Sequence, residues 1–250
     1  DEGPREDPQP IVLLHGTSAS LHTWDGWTAV LKARHRVIRL DLPGFGLTGP
    51  TPDNDYTAGR YVRFVGAFLD RLGVRRAVLI GNSFGGAVAW ETAVAMPERV
   101  SALVLVDAAG YTPKAESVPI GFRIAQMPGL NRLMEHLLPR GMVESSVRNV
   151  YGDPSKVTPA LVDRYYELTL REGNRRALGE RFRQARGGEN EARIAEVRQP
   201  TLIVRGGADK LIPLEFGRRF ESDIRGSRMV VFQALGHVPH EEDPLRTVLP

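Results

Sequence analysis

The chain has 250 residues, 33 Lys and Arg against 30 Asp and Glu, and no cysteine. That length fits one large domain, or one domain with an insertion, and buries roughly three quarters of its unfolded surface without covalent staples. The missing cysteines exclude disulfides and thiolate chemistry, a net charge of only +3 argues against a dedicated nucleic-acid surface, and the uncharged stretch at residues 77–90 is too short and too polar to span a bilayer.

In chain order, an apolar run at residues 11–15 comes first and leads into Gly16-Thr17-Ser18-Ala19-Ser20. It begins after only ten residues, and nothing there reads as a signal peptide; a targeting or anchor segment ahead of residue 1 stays open. A second run, 36–42, passes into Asp41-Leu42-Pro43-Gly44-Phe45-Gly46. A helix follows, with Thr57 as N-cap, an apolar face of Tyr61, Val65, Phe68, Leu69 and Leu72, and Gly73 as its stop. The run at 77–81 meets a helix over 84–96 that halts before Pro97, and a fourth run covers 100–107. Nearly continuous Val, Ile and Leu in these runs is the pattern of parallel strands covered on both faces.

The alternation breaks at Gly110, and strand character returns only at 201–205 and 228–232. Between them lie helical patterns: Leu130, Leu133, Met134, Leu137 and Leu138 at helical spacing, then a helix capped by Thr158 with Pro159 in its first turn and running to Leu170. Residues 1–110 and 200–250 therefore read as an α/β core, and 111–199 as a helical cap inserted into it. Arg171, Arg175, Arg176, Arg181, Arg183 and Arg186, interleaved with Glu172, Glu180 and Glu189, read as a solvated helix face. Contact of that face with anionic lipid headgroups is the alternative.

The most informative segment is Gly81-Asn82-Ser83-Phe84-Gly85, set between a strand and a helix. In that context Gly-x-Ser-x-Gly is a nucleophile elbow: a turn too sharp for side chains at the glycine positions lifts the Ser83 hydroxyl clear and aims the Phe84 N–H at the same point. A serine hydroxyl needs a base, and the base needs an orienting acid, in the chain order serine, acid, histidine. His237, after the sixth strand, is the expected base, with His240 as its rival. Asp209, after the fifth, is the expected acid, with Asp107 as competitor and a role for Asp107 in bonding loop backbone. The second oxyanion donor is expected at the Thr17 N–H, with Ser18 in reserve and His15 bracing that loop.

With these motifs in place, the chain resembles the α/β-hydrolase superfamily in its serine-nucleophile branch with a helical cap. The likeness rests on His15-Gly16, the Asp41–Gly46 segment, Gly81–Gly86, Asp209 and Gly236-His237, and it runs from residue 11 to about 244. It implies a mostly parallel sheet with helices on both faces, and a brace role for Asp41. Family members usually carry two more strands ahead of the His-Gly strand, and only ten residues precede residue 11 here, so the expectation is that either the start was removed or disordered or the sheet lacks one edge. A serine at position 83 excludes the aspartate-nucleophile branches, the haloalkane dehalogenases and epoxide hydrolases.

The expected activity is acyl chemistry on a small-molecule ester without metal or organic cofactor: an esterase or lipase-like enzyme for small to medium acyl esters, lysophospholipids among them. Met127, Leu130, Met134 and Leu137 are candidates for lining its acyl pocket, against the simpler role of docking the cap. The alternatives are a C–C bond hydrolase of aromatic degradation, which shares the Gly-Asn-Ser-x-Gly-Gly elbow and needs polar groups to grip a dienoate, and a triad-bearing small-molecule receptor. Membrane association, through the arginine-rich segment or an anchor ahead of residue 1, and oligomeric state stay open.

Overall fold

The structure, a computed structural model, describes residues 1–112, 137–184 and 187–248. All six expected strands form: β1 (Ile11–Leu14), β2 (Val37–Leu40), β3 (Ala77–Asn82), β4 (Val100–Val106), β5 (Thr201–Gly206) and β6 (Arg228–Phe232). They make one parallel sheet in the order β2-β1-β3-β4-β5-β6. The order reverses direction after β1, and the strand ends on either side of that switch face the same edge, where open α/β sheets place their sites.

Both faces of the sheet are covered. Val12, Leu14, Leu79, Leu103 and Leu105 join Tyr61, Val65, Leu69, Val88 and Trp90 in one core, while Ile11, Leu13, Ile80, Val106 and Val204 join Trp24 and Trp27 in another. Neighbouring strand residues alternate between the two, as the two-residue period of a strand requires. The helices behind them are α1 (Asp25–Leu31), α2 (Ala58–Arg71), α3 (Phe84–Ala95) and, between β5 and β6, α7 (Leu214–Asp223). Between β4 and β5 the described residues form three helices, α4 (Arg140–Val150), α5 (Pro159–Leu170) and α6 (Asn174–Gln184), and no strand.

Of the three helix-end signals that follow, two hold and one does not; the helical spacing at 130–138 lies mostly outside the described residues, and Leu137 and Leu138 are not helical. The Thr158 hydroxyl accepts from the Leu161 N–H at 3.2 Å, capping α5, and Gly73 takes a positive φ of 65° just beyond α2. Thr57 sits at the N-cap of α2 but does not cap it with its side chain; the hydroxyl donates to Asp55 Oδ1 at 2.7 Å instead, because a carboxylate two residues back is the stronger acceptor. At the outer edge of the sheet, Glu2 bridges Val37 antiparallel, with N–H to O distances of 2.9 and 2.8 Å, so the segment before β1 pairs part of the β2 edge.

The two glycines Gly81 and Gly73 separate steric from conformational demand. A Cβ on Gly81 would run into the Gly85 carbonyl, whereas one on Gly73 meets nothing within 4 Å and conflicts only with φ. Gly73→Ala should cost about 1 kcal/mol, and Gly81→Ala more than about 3 kcal/mol, read as the shift in urea midpoint at constant slope.

Candidate active site

The elbow is built by close approach. Ser83 follows β3 and precedes α3 with φ 53° and ψ −117°, a strained combination for a residue with a Cβ. Its carbonyl accepts from the N–H groups of Ala87 (3.2 Å) and Ala109 (2.9 Å), and its own N–H donates to the Val106 carbonyl (3.0 Å), so backbone bonds on both sides hold the strain in place. The glycine at 81 is required by α3, as the sequence suggests. Gly85 answers to a different neighbour: a Cβ there would strike the Leu14 and His15 carbonyls of the adjacent strand and loop. Gly86 in turn leaves no room for a Cβ against Ala108.

The loop after β1 rests on this turn. A Cβ at Gly16 would lie 3.2 Å from Ser83 Cβ and 2.8 Å from Asn82 Oδ1, so Gly16-Thr17 sits directly beside the serine. Phe84 is the first residue of α3, where a backbone N–H has no partner within the helix. His15, fully buried, holds the loop from behind: the Leu42 N–H donates to its Nε2 at 2.9 Å, which leaves Nδ1 to donate to the Gly16 carbonyl at 2.8 Å. Burial lowers its pKa, in keeping with that neutral ring. Asp41 braces the same loop, accepting the N–H groups of Leu21 and Leu47 at 2.8 Å each.

Two loops from the far half of the sheet come to the same edge. His237 Nδ1 lies 2.8 Å from Asp209 Oδ2. A carboxylate only accepts, so Nδ1 carries the proton and Nε2 keeps its lone pair. The other Asp209 oxygen accepts the N–H groups of Leu211 (2.7 Å) and Ile212 (3.2 Å). Burial pushes the Asp209 carboxyl up, but the charge and hydrogen bond of His237, with the Arg205 guanidinium 3.6 Å away, outweigh it and hold the carboxyl below its usual value. Asn82, next to the serine, donates through Nδ2 to the His237 carbonyl at 2.9 Å, which ties the histidine loop to the elbow.

The competitors are occupied elsewhere. Asp107 is fully buried, accepts the Gly206 N–H at 3.1 Å on each oxygen and pairs with Arg205 at 3.1 Å; burial pushes its carboxyl well above its usual value despite that cation. His240 lies in a fully buried slot, its ring 4.0 Å from that of Trp24 and its Nε2 3.0 Å from the Thr23 hydroxyl. Burial, and then the nearby His237, push its pKa well down.

Of the pocket candidates, Met127, Leu130 and Met134 lie outside the described residues. Leu137 lies within them and is 61% exposed, so it is no enclosed wall of a pocket. Arg186 likewise lies outside the described residues. The solvated-face reading of the arginine cluster fails at one position. Arg181 is only 8% exposed; its Nη2 donates to the Thr17 hydroxyl at 2.8 Å, its guanidinium lies 4.2 Å from the Phe84 ring centre, and its Nε has no partner. The signal was in the sequence: Asn174, Ala177, Leu178 and Arg181 share one face of α6, and the burial of Asn174 and Ala177, with Leu178 partly buried, carries Arg181 inward with them. Its neighbour Arg183 pairs outward with Glu180, as a solvated face does.

Comparison with known proteins agrees with this architecture. The α/β hydrolase fold family matches residues 9–244. A 2-hydroxy-6-oxo-2,4-heptadienoate hydrolase of Pseudomonas putida is 31% identical over 241 residues, covering 91% of this chain and 82% of that protein. Among solved structures, a meta-cleavage product hydrolase of Pseudomonas fluorescens superimposes with a TM-score of 0.82 at 26% identity, covering 99% of this chain and 89% of the other. A bacterial membrane phospholipase A also gives 0.82 at 26% identity, covering 99% and 78%. The parallel sheet, the strained serine turn and the matched span together make this chain a member of the α/β hydrolase family.

Proposed function

We propose that this chain is a serine hydrolase that cleaves the carbon–carbon bond beside a ketone in an unsaturated carboxylic acid, the dienoate class named for its Pseudomonas putida relative. The observation that carries this reading is Arg181. Among the described residues this buried guanidinium has no carboxylate partner, a costly arrangement, and it is placed against Thr17 and Phe84, the two residues expected to form the oxyanion hole. A substrate carboxylate would supply the missing charge. This revises the expectation of a simple ester substrate, since an uncharged ester gives Arg181 nothing to bind.

The proposed chemistry assigns these groups as follows. Ser83 Oγ attacks the ketone carbon while His237 Nε2 takes its proton; Asp209 holds the ring in the required tautomer and balances the imidazolium. The Phe84 and Thr17 N–H groups stabilise the developing oxyanion, each by about 3 kcal/mol. Collapse of the adduct breaks the carbon–carbon bond. An alkoxide leaves readily, but a carbon leaves only if its electron pair is delocalised: the 2-hydroxy-dienoate first shifts its enol proton to the carbon beside the 6-ketone, and the 2-oxo group so formed, next to the carboxylate that Arg181 would hold, accepts the pair as the bond breaks. The departing fragment takes the proton from His237. Water, deprotonated by the same histidine, then attacks the acyl-serine and releases the acid. The helical segment between β4 and β5 acts as the cap that delivers Arg181.

Ester hydrolysis is the second reading, favoured by the likeness to the phospholipase A. The triad serves both reactions, and Arg181 distinguishes them. Arg181→Met should lower kcat/KM on a 2-hydroxy-6-oxo-dienoate by about 10²-fold or more, the effect of removing one partner of a buried charge pair, and change kcat/KM on neutral p-nitrophenyl butyrate less than about threefold. A wild type that turns over the ester but leaves the dienoate intact would make the protein an ester hydrolase. Ser83→Ala should abolish both activities, lowering kcat by at least about 10³-fold with the melting temperature held within a few degrees; retained turnover would remove Ser83 from the mechanism.

A further inference from the structure

Glu242 is a buried carboxylate that the proposed mechanism does not use. It ends a single helical turn, Pro239–Glu242, just after the proposed base, and is 6% exposed. Burying a charge is costly unless it is bonded, and this one accepts three backbone N–H groups. Oε2 takes those of Gly236 (2.8 Å) and Gly152 (2.9 Å), and Oε1 takes that of Asp153 (2.8 Å). Gly236 is the residue before His237. Gly152 and Asp153 lie in the connection from α4 to α5.

These two segments meet backbone to backbone. The His237 N–H donates to the Val150 carbonyl at 2.7 Å. A Cβ on Gly152 would lie 2.2 Å from the Ala234 carbonyl oxygen, and one on Gly236 would lie 2.3 Å from that of Val150. Neither glycine has a positive φ, so closeness alone demands them. The Gly236, Gly152 and Asp153 N–H groups converge on one point, where they would repel one another without an acceptor. A carboxylate meets three donors best, since both oxygens share the charge and neither carries a hydrogen.

The consequence falls on His237. Its carbonyl is held by Asn82, its N–H by Val150 and the N–H before it by Glu242, so the main chain has little freedom on either side of the ring. The ring must keep its Nδ1 2.8 Å from Asp209 and also serve the serine, and a misplacement of about 1 Å costs about 10²-fold in rate. We infer that Glu242 is a positioning residue for the proposed reaction: it touches no reacting atom, and it clasps the His237 loop to the connection between α4 and α5 so that the imidazole stays aligned with Asp209 and Ser83. The inference rests on the triad of the proposed hydrolase reading and holds whichever bond the enzyme cleaves. It gives the helical segment a second task, setting the base as well as delivering Arg181.

The test reads the base itself, which separates the role of Glu242 from the choice of substrate. Ser83 Oγ displaces fluoride from a fluorophosphonate probe, a reaction that needs the serine and its base but no dienoate. Glu242→Gln keeps the size of the side chain and turns a donor toward one of the three N–H groups. It should slow labelling by about 10²-fold and remove or broaden the downfield proton resonance of His237 Nδ1–H. On whichever of the dienoate and p-nitrophenyl butyrate the wild type cleaves, kcat should fall with KM changed less than about threefold. Gly152→Ala approaches from the helical segment, leaves Glu242 and every triad side chain in place, and should give the same loss; if Glu242→Gln alone fails to fold, it decides by the same readouts. Wild-type labelling rates in either folded variant, or an unchanged resonance in Glu242→Gln, overturn the assignment. So does a loss confined to KM, or loss of the fold in both variants, which makes the clasp a requirement of folding alone. A wild-type Ser83 that the probe does not label overturns the hydrolase reading instead, and the resonance still decides the role of Glu242.

Discussion

The constraint on which the structure depends is the contact of α3 with the sheet at Ser83. Helix and strand meet so closely that the Gly81 position faces the Gly85 backbone, Gly85 faces the Leu14 and His15 carbonyls, and Gly86 faces Ala108. No ordinary turn satisfies those distances, and the chain resolves them by placing Ser83 at φ 53°. The strain is local and the restraint is not: β4 and the Ala109 segment hold the Ser83 backbone from one side, and the loop after β1 leans on it from the other. A serine held in this way has little freedom to move away from an approaching carbonyl, which is how an elbow turns packing energy into orientation.

The histidine loop is secured by bonds that cross from one part of the chain to another. Asn82 holds the His237 carbonyl, the His237 N–H donates to the Val150 carbonyl at the end of α4 at 2.7 Å, and the Gly236 N–H donates to Glu242 at 2.8 Å. Glu242 also accepts the N–H groups of Gly152 and Asp153 at 2.9 and 2.8 Å. The same carboxylate thus grips the loop carrying the proposed base and the segment leading from α4 to α5. The helices between β4 and β5 are bound to the catalytic edge at this point as well as through Arg181. The proposed nucleophile, base and carboxylate grip are therefore all referred to one sheet edge.

Charge on this protein sorts by depth. Pairs such as Arg193 with Glu196, or Arg148 with Glu144, sit on exposed helix faces and contribute little to stability. Arg205 and Arg181 are the buried exceptions, and they differ in kind. Arg205 lies between Asp107 and Asp209 and donates to the Ile212 and Pro213 carbonyls, so its charge is met by carboxylates although its Nε, like that of Arg181, has no partner among the described residues. Arg181 has a hydroxyl, aromatic faces and a vacant Nε. Desolvation lowers its pKa, and among the described residues no neighbouring carboxylate opposes it.

All six strands, the elbow and the Thr158 cap were legible in the sequence because each is specified within a few neighbouring residues: apolar runs of strand length, glycines two places either side of a serine, a hydroxyl ahead of a proline. The ordering of serine, aspartate and histidine along the chain was legible too, since parallel strands carry their following loops to one edge. Thr57 was misjudged because Asp55 competes for its hydroxyl, a choice settled by geometry. The decisive residue, Arg181, was grouped with its neighbours because charge runs are normally solvated, and only the docking of α6 against Thr17 and Phe84 separates the one arginine that enters the site from those that pair at the surface. Local pattern determined which groups the chain carries to that sheet edge. The packing of distant segments decided what those groups face, because burial and desolvation depend on everything that surrounds a group and not on what precedes or follows it.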